Sequence, residues 1–102
     1  MMPTPKIWSL DELHHIREKI IKIAHEHHAH HVRIFGSVAR GDTHSTSDVD
    51  ILVQFDDQAS IFDEVALWNK LQDLLQCEVD LSSDDTLKSY MRETVLDEAI
   101  PL

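Results

Sequence analysis

Apolar and polar positions along the chain follow a helical period first and a strand period later. Between residues 9 and 27 the apolar side chains recur every three or four positions, which predicts a helix with one buried face. That face would carry Leu10, Leu13, Ile16, Ile20, Ile23 and His27. Ser9 and Glu12 have the spacing of a capping box, so we expect the helix to begin at Ser9. It should end in the histidine-rich segment that follows.

Three short runs have the composition of strands. They cover His31–Phe35, Asp48–Phe55 and Glu78–Ser82. We also expect Ser37 to begin a short turn of helix that is closed by Gly41. Strands that alternate with helices in this way predict a sheet with helices packed against it.

Two more helices complete the pattern. One is predicted from about Ser60 to Gln76, and its apolar side would consist of Ile61, Val65, Trp68, Leu71, Leu74 and Leu75. The other is predicted from about Asp85 to Ala99, stopped by Pro101, with Leu87, Tyr90, Met91, Thr94 and Val95 facing inward. The order α-β-β-α-β-α predicts an α/β (α+β) fold, a short mixed sheet with helices packed on it.

Composition and charge narrow the possible partners. The 102 residues fit one domain, residues 1–102, with little chain left for a second substrate-binding lobe. Nine basic and nineteen acidic residues give a net charge of −10, which disfavours direct contact with nucleic acid and favours a basic protein. Cys77 has no second cysteine to pair with, and no apolar run or signal peptide indicates a membrane. We therefore expect a cytoplasmic protein.

The segment IFGSVARGDTHSTSDVDILV, from Ile34 to Val53, carries the candidate chemistry. Asp48 and Asp50 are two positions apart in a strand and so point to the same side. Their mutual repulsion would be relieved by a cation, and oxygen ligands suit Mg²⁺. Gly36 would let a ligand approach the backbone, and Ser37 with nearby free N–H groups would hold phosphate oxygens.

A third carboxylate completes this pattern. Asp80 lies in the centre of the third predicted strand, and it would reach the same edge if that strand lies beside the second. Carboxylates that face a phosphate site are typical of metal-assisted phosphoryl or nucleotidyl transfer.

These residues resemble the signature of the polymerase-beta-like nucleotidyltransferase superfamily: Gly36-Ser37, ten residues, Asp48-x-Asp50, and Asp80 after a helix. The strings GSVARG and SDVDILV are most similar to the minimal nucleotidyltransferases (MNT), MntA-like antitoxins encoded beside HEPN-type ribonuclease toxins. The resemblance extends from about Ser9 to Pro101. It implies a polymerase-beta-like fold formed by one minimal nucleotidyltransferase domain.

The resemblance also implies roles for these residues. Gly36 and Ser37 would bind the triphosphate of ATP; Asp48, Asp50 and Asp80 would be catalytic and would hold two Mg²⁺ ions. The reaction would be protein adenylylation (AMPylation), the transfer of AMP to a tyrosine of a basic HEPN toxin in a hetero-oligomer, which would neutralise the toxin.

Alternatives remain open at this stage. The chain could be a catalytically silent member of the fold that neutralises its toxin by steric binding, whereas transfer to RNA or a small drug is disfavoured by its acidity. Arg40 could contact phosphate or toxin, or only support a turn. The segment His25–His31 could bind a metal, although histidines near a helix C-terminus also interact favourably with the helix dipole.

Overall fold

A computed structural model describes residues 7–41, 48–85 and 89–102, and the side chains of all of these except 89–92. The helices are α1 (Leu10–His15), α2 (Arg17–Glu26), α3 (Gly36–Arg40), α4 (Ile61–Leu75) and α5 (Ser89–Glu98). The strands are β1 (Ala29–Phe35), β2 (Val49–Phe55), β3 (Val79–Ser83) and β4 (Ile100–Pro101).

The strands form one mixed sheet in the order β3-β2-β1-β4. β1 is antiparallel to both β2 and β4, whereas β2 and β3 are parallel and are connected by α4. The predicted fold class, a short mixed sheet with helices packed on it, is therefore confirmed. β4 was not predicted: α5 ends at Glu98, and Pro101 pairs with Arg33 in the sheet instead of stopping a helix.

The first predicted helix is two helices in the structure. Ser9 begins α1 with the expected capping box, because its side chain accepts from the N–H of Glu12 while the Glu12 carboxylate accepts from the N–H of Ser9. Ile16 then leaves the helical conformation (φ −110°, ψ 16°) and separates α1 from α2. The local sequence contains neither Gly nor Pro and does not explain this break.

β1 begins at Ala29, two residues earlier than predicted, and a bulge interrupts the strand. The pairing with β2 shifts between His30 and Arg33, and His31 within this shift has a positive φ of 55°. The bulge leaves His30 and His31 exposed and returns the next residues of the strand to the core.

The predicted apolar side of α4 is partly wrong. Ser60 and Gln76 do cap the helix, but its buried residues are Leu67, Leu71 and Leu75. Ile61, Val65 and Trp68 are instead 64%, 48% and 42% exposed. α4 carries more apolar side chains than one face can hold, and only the leucine face packs on the sheet.

Smaller differences concern the ends of elements. β2 begins at Val49, β3 covers Val79–Ser83, and Asp85 lies in a turn before α5. In α5, Val95 is buried as predicted and Thr94 is exposed. Leu87 and the side chains of Tyr90 and Met91 lie outside the described residues.

The core lies between the sheet and the helices α1, α2 and α4. Its largest fully buried members in this layer include Leu13, Ile20, Ile34, Ile51, Leu67, Leu71 and Leu75. Burial of a side chain of this size contributes about 1.5 to 3 kcal/mol, so this layer supplies most of the stabilising energy that positions β2 and β3. None of the described helices is long and apolar enough to span a membrane.

Candidate active site

The parallel pairing of β2 and β3 brings the predicted carboxylates together. Asp50 lies directly beside Asp80 in the register, and Asp48 immediately precedes β2. The N–H of Val49 donates to the carbonyl of Glu78 at 3.0 Å, which fixes the start of this pairing. Val49 and Ile51 are buried in the core, so the Asp50 side chain between them points to the opposite face of the sheet.

Asp50 has a strongly perturbed environment. Its pKa is raised from 3.8 to about 6, first because burial disfavours the charged form and then because the charges of Asp80 and Asp48 repel it. A hydrogen bond between the Asp50 and Asp80 carboxyl groups raises this pKa further, and the positive charge of Arg40 lowers it. The cluster therefore carries more negative charge than its surroundings balance.

Gly36 places the backbone of α3 directly against Asp50. A Cβ atom added to Gly36 would overlap the Asp50 carboxylate, and Gly36 has a φ of +72°, so both space and conformation require glycine here. Glycine is therefore what allows the first turn of α3 to lie beside the carboxylates.

The start of α3 lacks the side-chain cap that α1 and α4 have. Ser9 and Ser60 cap α1 and α4, but Phe35 at the corresponding position of α3 provides no capping hydrogen bond. Ser37 lies in this first turn, and Gly41 (φ +77°) closes the helix as predicted. The first N–H groups of α3 and the Ser37 hydroxyl are suitable donors for phosphate oxygens.

The donor set fits Mg²⁺ in its chemistry, because all three candidates are carboxylates and the positive charge of Arg40 does not offset the burial and repulsion that act on Asp50. Within residues 7–41, 48–85 and 93–102, however, no three His, Cys, Asp or Glu side chains are close enough to enclose an ion by themselves. Mg²⁺ commonly binds through one or two carboxylates together with substrate phosphates. The aspartates can therefore form part of a metal site that a nucleotide would complete.

Arg40 lies near the carboxylates but is held by another element. Its guanidinium donates to Glu98 of α5 at 3.1 Å, and half of its side chain is exposed. Because its charge also lowers the pKa of Asp50, it acts electrostatically on the site as well as linking α3 to α5.

The histidine-rich segment lies at the other end of β2. His30 hydrogen-bonds Asp56 at 2.7 Å and lowers the pKa of that carboxyl, and His27 lies 3.5 Å from Asp63. Asp50 and Asp56 are six residues apart, about 20 Å along an extended strand. These histidines therefore connect the ends of neighbouring elements away from the candidate active site.

A groove that the sequence did not indicate opens beside the carboxylates. We call it the α4 groove; its volume is about 580 Å³, and Asp48, Glu64, Val65, Trp68, Asp80 and Leu81 are among the residues that line it. The indole N–H of Trp68 donates to the carbonyl of Val79 at 2.7 Å and so attaches α4 to β3. The sequence feature that could have revealed this groove is the second apolar stripe of α4, because one buried face does not need so many apolar residues.

The sequence pattern of the polymerase beta nucleotidyltransferase family matches residues 18–102. The chain belongs to this family. The match covers the α3 turn and all three aspartates, and it confirms the identification made from Gly36, Ser37, Asp48 and Asp50, as well as the expectation of a nucleotidyltransferase enzyme.

Curated members of the family include close relatives in sequence. A Methanocaldococcus jannaschii protein, provisionally named a protein adenylyltransferase, is 36% identical over 88 residues, 86% of this chain and 95% of its own length. The protein adenylyltransferase MntA of Thermococcus cleftensis is 41% identical over 69 residues, 68% of this chain and 70% of its own length.

Solved structures agree with the sequence relatives. A provisionally named minimal nucleotidyltransferase is 41% identical with a TM-score of 0.82, and the match covers 93% of this chain and 97% of that one. A toxin–antitoxin complex with AMP-PNP contains a chain 27% identical with a TM-score of 0.69, covering 82% of this chain and 69% of that one. A variant of the toxin–antitoxin pair MntA–HpeT is 27% identical with a TM-score of 0.70, covering 84% and 70% respectively.

Proposed function

We propose that this chain is a Mg²⁺-dependent protein adenylyltransferase that transfers AMP from ATP to a tyrosine of a partner HEPN toxin and so acts as its antitoxin. The observation that carries this proposal is the placement of Asp50, which lies beside Asp80 in the sheet and directly against Gly36. Burial and the charges of Asp80 and Asp48 raise its pKa to about 6. Groups that are both buried and repelled by like charges cluster at functional sites because they are costly elsewhere.

Each candidate residue has a role in the proposed reaction. Gly36 and Ser37 hold the triphosphate through the first N–H groups of α3 and the Ser37 hydroxyl. Asp48, Asp50 and Asp80 hold Mg²⁺, two ions when the nucleotide is present. When bound, the metal supplies positive charge that balances the carboxylates and the phosphates.

The proposed chemistry is in-line substitution at the α-phosphorus of ATP. The tyrosine oxygen forms a bond to this phosphorus, the bond to the bridging oxygen breaks, and pyrophosphate leaves. The hydroxyl proton passes to the Asp80 carboxylate, which lies at the edge of the sheet and is exposed to an incoming acceptor. Fixing the acceptor beside the nucleotide makes the attack effectively unimolecular.

Relatives support the protein acceptor and the antitoxin role. Two curated relatives carry protein adenylyltransferase names, and two similar structures are toxin–antitoxin complexes, one of them with an ATP analogue. The HEPN identity of the partner and the tyrosine acceptor rest on the family resemblance of the sequence motifs. The net charge of −10 favours a basic partner in a hetero-oligomer. We further propose that residues 1–102 act as one domain in the cytoplasm.

Co-expression with the protein encoded next to this chain, which the proposal expects to be a HEPN toxin, tests the proposal directly. Intact mass measurement of both chains should show the partner heavier by whole AMP units. The same experiment with the Asp48→Ala, Asp50→Ala chain should give an unmodified partner. An unmodified partner that is still neutralised by both forms would replace this proposal with steric neutralisation by a silent nucleotidyltransferase fold.

A further inference from the structure

The exposed apolar side of α4 and the candidate active site share one groove. Val65 and Trp68 contribute apolar surface to the α4 groove, and Asp48 and Asp80 of the carboxylate cluster line it too. Both α4 residues are more than two fifths exposed, because only the leucine face of α4 packs on the sheet. The groove therefore continues from the carboxylates onto an apolar surface that the described residues leave exposed.

The charged residues that line the α4 groove are all acidic. Glu64 and Glu78 join Asp48 and Asp80 around the apolar residues, and the whole chain has a net charge of −10. Two copies of this chain would bring these acidic rims together and repel each other. An occupant with apolar side chains flanked by Lys or Arg would complement both the floor and the rim.

Hydrogen bonds at the edge of the sheet indicate how an occupant would bind. β3 is an edge strand, but the N–H of Val79 donates to Gln72 Oε1 at 3.2 Å and its carbonyl accepts from Trp68. These side chains of α4 occupy backbone groups that an added strand would need. An added strand could therefore not pair with Val79, and at this level an occupant would be held by its side chains.

We propose that the α4 groove is the docking site for the acceptor protein: it binds a segment in which apolar side chains are flanked by basic ones and so presents the acceptor hydroxyl to Asp80. This inference rests on the proposed function and adds the surface that selects the acceptor. A domain this small has few walls around its nucleotide site, so selection by an adjoining groove explains how one protein could be recognised among many.

Paired variants test the inference with the neighbouring HEPN protein as probe. Val65→Asp and Leu96→Asp each add one negative charge at an exposed apolar helix position, but Leu96 lies on α5 and does not line the groove. Glu64→Lys and Glu93→Lys form a second pair with equal charge changes, in which Glu93 is the exposed α5 control. Circular dichroism of each variant is the check that it is folded.

We expect Val65→Asp and Glu64→Lys to raise the Kd for the HEPN protein at least about tenfold. The Kd of both α5 controls should stay within about twofold of the parent value. In transfer assays the groove variants should raise KM for the HEPN protein more than they lower kcat. Equal affinity of all four variants, or no complex with the parent, would overturn the groove assignment. AMP transfer by the parent chain is scored separately, so transfer with equal affinities refutes only the groove, and groove-dependent binding without transfer refutes only the adenylyltransferase.

Discussion

Single residues at the carboxylate cluster link stability to function. The pKa of Asp50 is about 6 in the folded chain, against 3.8 as its ordinary value. At this carboxyl the folded state therefore binds more protons than the unfolded state between these values, and in the nucleotide-free protein the contribution of Asp50 to stability should fall as the pH rises from about 4 to about 6. The ionised Asp50 carboxylate therefore destabilises the nucleotide-free protein, and a bound cation would balance its charge.

Asp50→Asn should remove this pH-dependent loss. We expect the variant to be more stable than the parent by about 1 to 2 kcal/mol at pH 7.5, with solvent screening allowed for, and nearly equal to it at pH 4. Urea unfolding at the two pH values measures the difference. Asp57→Asn, in an exposed turn outside the carboxylate cluster, is the control for the same chemical change. An identical pH dependence in the parent and Asp50→Asn would contradict the perturbed carboxylate.

Gly36 and Gly41 offer a matched pair for the space beside Asp50. Both have positive φ, but an added Cβ meets Asp50 only at Gly36 and meets open space at Gly41. Gly41→Ala should cost about 1 kcal/mol of unfolding free energy from backbone strain alone. Gly36→Ala should cost clearly more and should also abolish Mg²⁺-dependent binding of an ATP analogue, as measured by fluorescence titration. Equal effects of the two variants would show that the contact with Asp50 is unimportant.

Secondary structure elements differ in how far the sequence determines them. The starts of α1 and α4 were predictable because Ser9 and Ser60 form local capping interactions with residues three positions later. The meeting of Asp50 and Asp80 was predictable once β2 and β3 were taken as neighbours, because side chains at the same level of parallel strands lie side by side.

Other features depend on partners distant in sequence. β4 has two residues and forms because β1 offers an open edge, where the N–H of Leu102 also donates to Val32. The buried face of α4 is selected by the shape of the sheet, because both of its stripes are apolar enough to be buried. The α4 groove follows from that selection, so the sequence pattern alone did not reveal it.

Substitutions on the two sides of α4 test which stripe supports the fold. Leu71→Ala, in the core, should lower the free energy of unfolding by about 2 to 5 kcal/mol because it leaves a cavity. Val65→Ala, half exposed, should change it by less than about 0.5 kcal/mol. Chemical denaturation provides both values. A loss for Val65→Ala as large as that for Leu71→Ala would instead support the predicted apolar side, which included both residues.

At the scale of the whole molecule, charge is the dominant feature. With a net charge of −10, the chain should attract a basic partner over the range of the Debye length, about 8 Å at physiological salt. We expect the association rate with the HEPN protein to fall at least about tenfold between 50 mM and 500 mM salt, with a smaller change in the dissociation rate. Stopped-flow mixing separates the two rates. An association rate independent of salt would argue against a basic partner.

The most direct test of the central claim is transfer of label from ATP carrying a radioactive α-phosphate to the HEPN protein. We predict Mg²⁺-dependent labelling that falls at least about a hundredfold for Asp48→Ala or Asp50→Ala, because each removes part of the preorganised charge that acts on the phosphates. Changing the tyrosines of the HEPN protein one at a time to Phe should abolish labelling at one position. Labelling that survives every such change, or that persists when both Asp48 and Asp50 are replaced by Ala, would contradict the account.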